Sequence, residues 1–431
     1  MSTHASRTNV TANARIMRAV TAGDERRTSV RIGRSHRDVT RTTALYKADT
    51  KHMTDEELAT LRSASPRAVT HHHQRSAGAI VSELLATGTS FELAAFEARI
   101  ARELGKPAAA YFPTGTMAQQ IALRVWCDRA RNINIAFHPT SHLELHEHKA
   151  YAMLHGLRAL HVGTSTRLMN LADIRSITDP LGAFLIELPQ REIGALLPRW
   201  NDLVLMTDSA RRTGAKVHLD GTQLWQAAPY YGRSHAEIAE LFDSAYVSFD
   251  TELDTIMGGV LVGDADFIAE ARVWQQRHGC CLPSMPLLAL AAERSFDRHI
   301  GKMAAYRDRA RELSEAFAKI DGVVPNAPQT STFHVFLRGD RARIEARAHA
   351  YARETGTFVL ARLASTVVPG IQKWEFVVGE ATMALEIDEI LDAVRAIMGL
   401  PHREVARTPK ARTSRSKRAP SHRSTLAVGR D

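Results

Sequence analysis

The stretch Lys216–Gly263, KVHLDGTQLWQAAPYYGRSHAEIAELFDSAYVSFDTELDTIMGGVLVG, decides how the rest of the chain is read. It contains short apolar runs that stop at polar residues. Val217–Leu219 delivers Asp220, and Ala245–Phe249 delivers Asp250, Thr251 and Glu252. Ile256–Val262 reads as a third strand interrupted by Gly258 and Gly259. Short strands alternating with helical segments predict an α/β fold, a mostly parallel sheet with helices on both faces. Ligands of open α/β sheets bind at the carboxyl ends of the strands. Asp220 and the segment around Thr251 are therefore the first candidates for chemistry.

Working upstream, Ala108–Phe112 is an apolar run closed by Pro113, then Thr114-Gly115-Thr116, then a helical segment over Met117–Arg131. A strand, a small-residue turn and a helix start present free backbone N–H groups to a phosphate. Ile133–Phe137 is the next strand and leads into His138, His142, His146 and His148. Their spacing is not that of a metal-binding helix, so no metal site is expected. His71–His73 cannot all point one way and read as a polar loop. Leu160–Gly163 and Ala183–Leu188 are further strands. The second ends at Glu187 and Arg191, which either line the site or form a structural ion pair. Helices are expected over Met53–Leu61, Phe91–Leu104, Trp200–Gly214 and Phe267–Arg277, and a long one over Leu287–Ile320. The last of these bridges to a small C-terminal α+β part, with strands at Val335–Leu337 and Trp374–Val378. The expected organisation is a basic arm at 1–48, a large domain at 49–290, a small domain at 291–400 and a basic tail at 401–431.

The net charge of +9 on 431 residues sits in the termini. Residues 1–48 carry +7 and residues 402–431 carry +7, which leaves about −5 for the body. Both termini are rich in Ser, Thr and Arg without apolar periodicity, the composition of solvated, disordered arms. The C-terminal run TPKARTSRSKRAPSHRS has no aromatic residue to stack on bases, so no specific nucleic-acid partner is expected. No apolar run is long enough to span a membrane. Cys127, Cys280 and Cys281 form neither a zinc spacing nor a disulfide framework, which points to a reducing, cytoplasmic setting. An Arg-rich, acid-poor start is also the pattern of an organellar transit peptide, against which Asp24, Glu25 and Asp38 count.

HLDG followed by LW, DSAYVSF and GGVLVGD resembles the β-eliminating lyase/threonine aldolase group of fold-type-I pyridoxal 5'-phosphate enzymes. TGTMAQ, HPTSH, ELPQREIG and VVGEATM extend the resemblance over about residues 85–400. It implies a homodimer or homotetramer acting on an amino acid. It further implies that Gly115 and Thr116 hold the cofactor phosphate, that His142 stacks on the pyridine ring and that Asp220 pairs with the ring nitrogen. Ser248 belongs to the same pocket. The sequence departs from the pattern at Thr251, which matches the family's Schiff-base lysine, and at Gln223, which matches an arginine. Glu252 and Asp254 match glycines and would add negative charge beside the phosphate loop. Lys216 lies four residues before Asp220, roughly 13 Å along a strand, and cannot substitute. Two readings remain: a lyase of the threonine aldolase type that holds the cofactor non-covalently, working on a β-hydroxy or β-substituted amino acid, or a degenerate, non-catalytic relative serving as a ligand-binding or partner subunit.

Overall fold

The computed structural model describes residues 53–65, 67–70, 91–280 and 282–401. The basic termini, His71–His73 and Cys281 lie outside them. A seven-stranded sheet forms the centre: β1 (Ala108–Phe112), β2 (Asn134–Phe137), β3 (Arg158–His161), β4 (Ala183–Glu187), β5 (Lys216–Gly221), β6 (Ser244–Ser248) and β7 (Gly259–Gly263). Its spatial order is β1-β7-β6-β5-β4-β2-β3, and only β7 runs against its neighbours. The mostly parallel sheet is the expected one.

Each strand alternates between two apolar layers, as the two-residue period requires. Tyr111, Phe184, Leu219 and Val247 face one layer. Ala110, Phe112, Leu185 and Tyr246 face the other, against the helices Gly115–Ala130 and Ala265–Arg277. There Trp126 stacks on Phe267, with ring centroids 4.4 Å apart. This alternation also sets the site. Glu187, Asp220 and Tyr246 are register partners on adjacent strands, so their side chains share the layer of helix Gly115–Ala130. Deeper in that layer, His218 bonds Gln119 Oε1 and Ser244 Oγ at 2.7 Å each. Burial pushes the His218 imidazole down to about 3, so the ring is neutral.

Two elements differ from the expected bounds. The strand read from Ile256 begins only at Gly259, because Asp254 and Gly258 adopt left-handed backbone, with φ of 57° and 109°. The long helix is two, Met285–His299 and Met303–Phe317, joined by a 3-10 turn at Ile300–Lys302. Beyond them a four-stranded antiparallel sheet contains Thr332–Arg338 and Ile371–Val377, with the helices Arg341–Thr355 and Ile387–Met398. Among the described residues no helix is long and apolar enough to cross a membrane.

Candidate active site

The carboxyl ends of β1, β2, β5 and β6 open onto one cavity of about 230 Å3. Thr114, Gly115 and Thr116 line it from the start of helix Gly115–Ala130, and His142, Glu147, Ser248, Asp250 and Thr251 line it from the other strand ends. Thr114 caps the helix, its side chain accepting from the N–H of Met117. Gly115 has no room for a side chain: a Cβ there would lie 2.6 Å from Tyr246 Oη. The bare helix start therefore presses close to the sheet, leaving N–H groups and the positive end of the helix dipole toward the cavity.

Asp220 is buried at the end of β5. Its Oδ1 accepts from Thr222 N at 3.1 Å and Thr222 Oγ1 at 2.6 Å, whereas Oδ2 has no hydrogen-bond partner. Burial raises the Asp220 carboxyl above its ordinary range, and the Thr222 bonds and His142 oppose the rise. An orphaned buried carboxylate oxygen costs free energy unless a donor or cation meets it. A protonated pyridine nitrogen is such a group, and this is where the resemblance places one.

His142 stands at the start of a short helix after β2. Its Nδ1 donates to Glu147 Oε1 at 3.0 Å, and Gln120 Nε2 steadies Glu147 Oε2 at 3.2 Å. Burial pulls the imidazole down, but Glu147, Asp220 and Glu187 together carry it above its ordinary value. Glu187 sits beneath it, accepting from His142 N at 3.3 Å, Gln190 Nε2 at 3.0 Å and Arg191 N at 3.1 Å. Burial first, and the neighbouring Asp220 second, push the Glu187 carboxyl up to about 8. The side chain of Arg191 goes elsewhere, to a two-pronged pair with Glu375 at 2.8 and 2.9 Å. Glu187 thus supports the site, while Arg191 pins the central sheet to the C-terminal sheet; the two do not pair through their side chains.

Thr251, Ser248 and Asp250 form a cluster of their own. Both hydroxyls donate to Asp250 Oδ1, and the two hydroxyl oxygens are 3.2 Å apart. None of the described lysines lines the cavity. Lys216 pairs with Asp243, Lys149 with Glu144 and Lys373 with Glu192. Gln223 is buried away from the lining, with Oε1 unpartnered. Glu252 and Asp254 correct an expectation: both are buried outside the lining, so neither confronts the helix start. Glu252 faces Gln226, and burial lifts its carboxyl well above the ordinary range. Asp254 interacts with Arg62. Glu147, Tyr246 and Thr222 were not singled out from sequence. A carboxylate five residues after His142 was the available signal for the first. Among the described residues no group of side chains is arranged to hold a metal ion.

The family profile named Beta-eliminating lyase matches residues 61–340. Low-specificity L-threonine aldolase 1 of Arabidopsis thaliana is 24% identical over 251 residues, covering 56% of this chain and 70% of that protein. The crystal structure of a putative L-allo-threonine aldolase from Listeria monocytogenes EGD-E superposes with a TM-score of 0.73 at 35% identity, over 79% of this chain and 99% of that one. A putative aromatic amino acid β-eliminating lyase/threonine aldolase from Exiguobacterium sp. 255-15 gives 0.74 at 33% identity, with the same coverage. The fold is that of the fold-type-I pyridoxal phosphate enzymes, and the chain belongs to the β-eliminating lyase family.

Proposed function

We propose that this chain holds pyridoxal 5'-phosphate non-covalently at the carboxyl edge of the central sheet and acts as a lyase of the threonine aldolase type on a β-hydroxy or β-substituted amino acid. The observation that carries this reading is the buried, unpartnered Oδ2 of Asp220 beside His142. When bound, the cofactor supplies an electron sink for cleavage at the amino acid's α- or β-carbon. Asp220 would keep the ring nitrogen protonated through Oδ2. His142 would lie against the ring, and Gly115 and Thr116 would bind the phosphate with backbone N–H groups. With Nδ1 tied to Glu147, His142 Nε2 is the nitrogen that can take a proton from a substrate hydroxyl. Thr251 at the lysine position has no amine, so nothing in the lining would link to the cofactor. Leu145, Met153 and Leu154, exposed on the short helices next to His142, support a homo-oligomer.

Titrating the purified protein with pyridoxal phosphate, reducing with borohydride and mapping peptides by mass tests this. The expected result is saturable binding that Asp220→Asn weakens, no lysine adduct, and cleavage of L-threonine or a related amino acid. A mapped lysine adduct overturns the non-covalent reading, and no binding overturns the cofactor reading. The engagement of the Ser248 and Thr251 hydroxyls with Asp250, where the family pattern has a lysine, favours a second reading, a non-catalytic relative, which predicts binding without turnover.

A further inference from the structure

The lining of the cavity is short of positive charge and rich in acceptors. Among the described residues it contains no lysine or arginine, and it contains the carboxyl groups of Glu147 and Asp250. Its imidazole, His142, is already bonded to Glu147. Glu147 is further tied to Gln120, so both of its oxygens have partners. Asp250 differs. The side-chain hydroxyls of Ser248 and Thr251 both reach it through Oδ1, and among the described residues no hydrogen bond reaches its Oδ2, while Asp250 lines the cavity. Beside it stand the hydroxyl oxygens of Ser248 and Thr251, 3.2 Å apart; Ser248 Oγ accepts from Thr251 N at 3.4 Å, which leaves it one further lone pair, and Thr251 Oγ1 keeps its own after donating its hydrogen. Three oxygens thus meet at the mouth of β6, and a primary ammonium group has three N–H donors and no acceptor.

A second observation points to the same ligand. Asp220 Oδ2, 1% exposed in the same layer of the sheet, also has no partner. The site therefore offers two carboxyl oxygens to whatever occupies it, and among the described lining residues only His142, already bonded to Glu147, can carry positive charge near them. A ligand that brings positive charge at two points satisfies both.

Resting on the cofactor reading above, we propose that Asp250, flanked by the hydroxyls of Ser248 and Thr251, is a receptor for a primary ammonium group carried by the ligand, at the place where the resembling family presents its own lysine amine. The ammonium has two sources of one chemistry. It belongs either to the amine form of the cofactor, pyridoxamine 5'-phosphate, or to the amino acid substrate.

Calorimetric titration of the full chain separates them. In the first arm, pyridoxamine 5'-phosphate is compared with pyridoxine 5'-phosphate, which carries a neutral hydroxyl in place of the amine. If the cofactor's amine fills the receptor, the amine form binds about tenfold more tightly, as a hydrogen bond to a charged group predicts. Asp250→Asn then removes most of that preference while binding of the alcohol changes little, and Asp250→Glu, which keeps the carboxyl, retains part of it. In the second arm, L-threonine is titrated into protein saturated with pyridoxine 5'-phosphate. Asp250-dependent binding in this arm assigns the receptor to the substrate. Preference in either arm supports the proposal and names the source. Binding of both vitamers with no Asp250 dependence in either arm overturns the proposal and leaves the cofactor reading standing. Failure of either vitamer to bind the wild-type chain overturns both.

Discussion

Gly115→Ala tests whether the helix start presses on the sheet as tightly as the cofactor reading needs. The added Cβ would lie 2.6 Å from Tyr246 Oη, 2.9 Å from Cζ and 3.0 Å from Cε1. Tyr246 cannot swing aside, since it is 2% exposed. On its other side a Cβ at Gly259 would also come within 2.5 Å of Oη, so the ring is wedged between two glycines. Overpacking of this kind costs about 1–3 kcal/mol. Alanine's better helix propensity returns at most about 1 kcal/mol. The net expectation is a loss of about 1–2 kcal/mol, a few degrees in melting temperature for a domain of this size. The helix start should also move away from the cavity, weakening pyridoxal phosphate binding by about tenfold. Tyr246→Phe removes Oη, the closest atom, but leaves Cζ and Cε1 in place. In the double variant it should recover about half of the loss, a coupling of about 0.5–1 kcal/mol in the double-mutant cycle. Thermal denaturation of the four proteins and a cofactor titration of each give both readouts. If Gly115→Ala melts and binds like wild type, or if the cycle shows no coupling, the close approach of helix and sheet is not what shapes this cradle.

Two further perturbations probe the groups around it. The Glu187 carboxyl, with an ordinary value of 4.5, is held at about 8 by burial and by Asp220. A raised carboxyl favours the folded state while protonated. Its stabilisation is therefore complete below about 4.5 and is lost as pH climbs through about 8, a drop on the order of a few kcal/mol. Glu187→Gln should flatten the decline in melting temperature between pH 5 and 9; an unchanged slope assigns the decline to other groups. Thr251→Lys alone should create a borohydride-reducible link to pyridoxal phosphate that maps to residue 251, because Glu252 and Asp254 do not face the cavity. Mass mapping that finds no adduct at 251 in protein that still binds the cofactor shows that Thr251 is not the lysine's counterpart.

Most of the sheet could be read from the chain because period and length suffice for buried strands: the run Ala108–Phe112 is β1 to the residue. The polar ends of those runs pointed to Asp220, Asp250 and Thr251 for the same reason, whereas Ser248, inside its run, came only from the family resemblance. What could not be read is direction and distance. Glu252 follows Thr251 immediately, and nothing in its neighbours in sequence tells that it turns away from the cavity into the interior. The partner of Arg191 is Glu375, 184 residues later, and only the docking of the two sheets makes it the partner. Alternation did contain one signal that went unused. His218, Asp220, Ser244, Tyr246 and Ser248 fall on even positions of two adjacent strands, so the polar layer beneath the site is written in the two-residue period.

The reversed strand β7 has a bearing on the order in which the molecule assembles. β1 finds its neighbour only in β7, with Ala108 opposite Gly263, and the short strand Arg67–Ala68 pairs with Thr357–Phe358. Pairings so distant along the chain carry a large loop-closure entropy and form late. During synthesis β1 must wait as an open edge until residue 263 has left the ribosome, while β4, β5 and β6 can already pair in sequence. The segment at Arg67 waits longer still, for Thr357. The first strands of the described residues to be made are therefore among the last to be placed. Until then β1, with Tyr111 and Phe112 uncovered, is an unpaired strand open to wrong pairing.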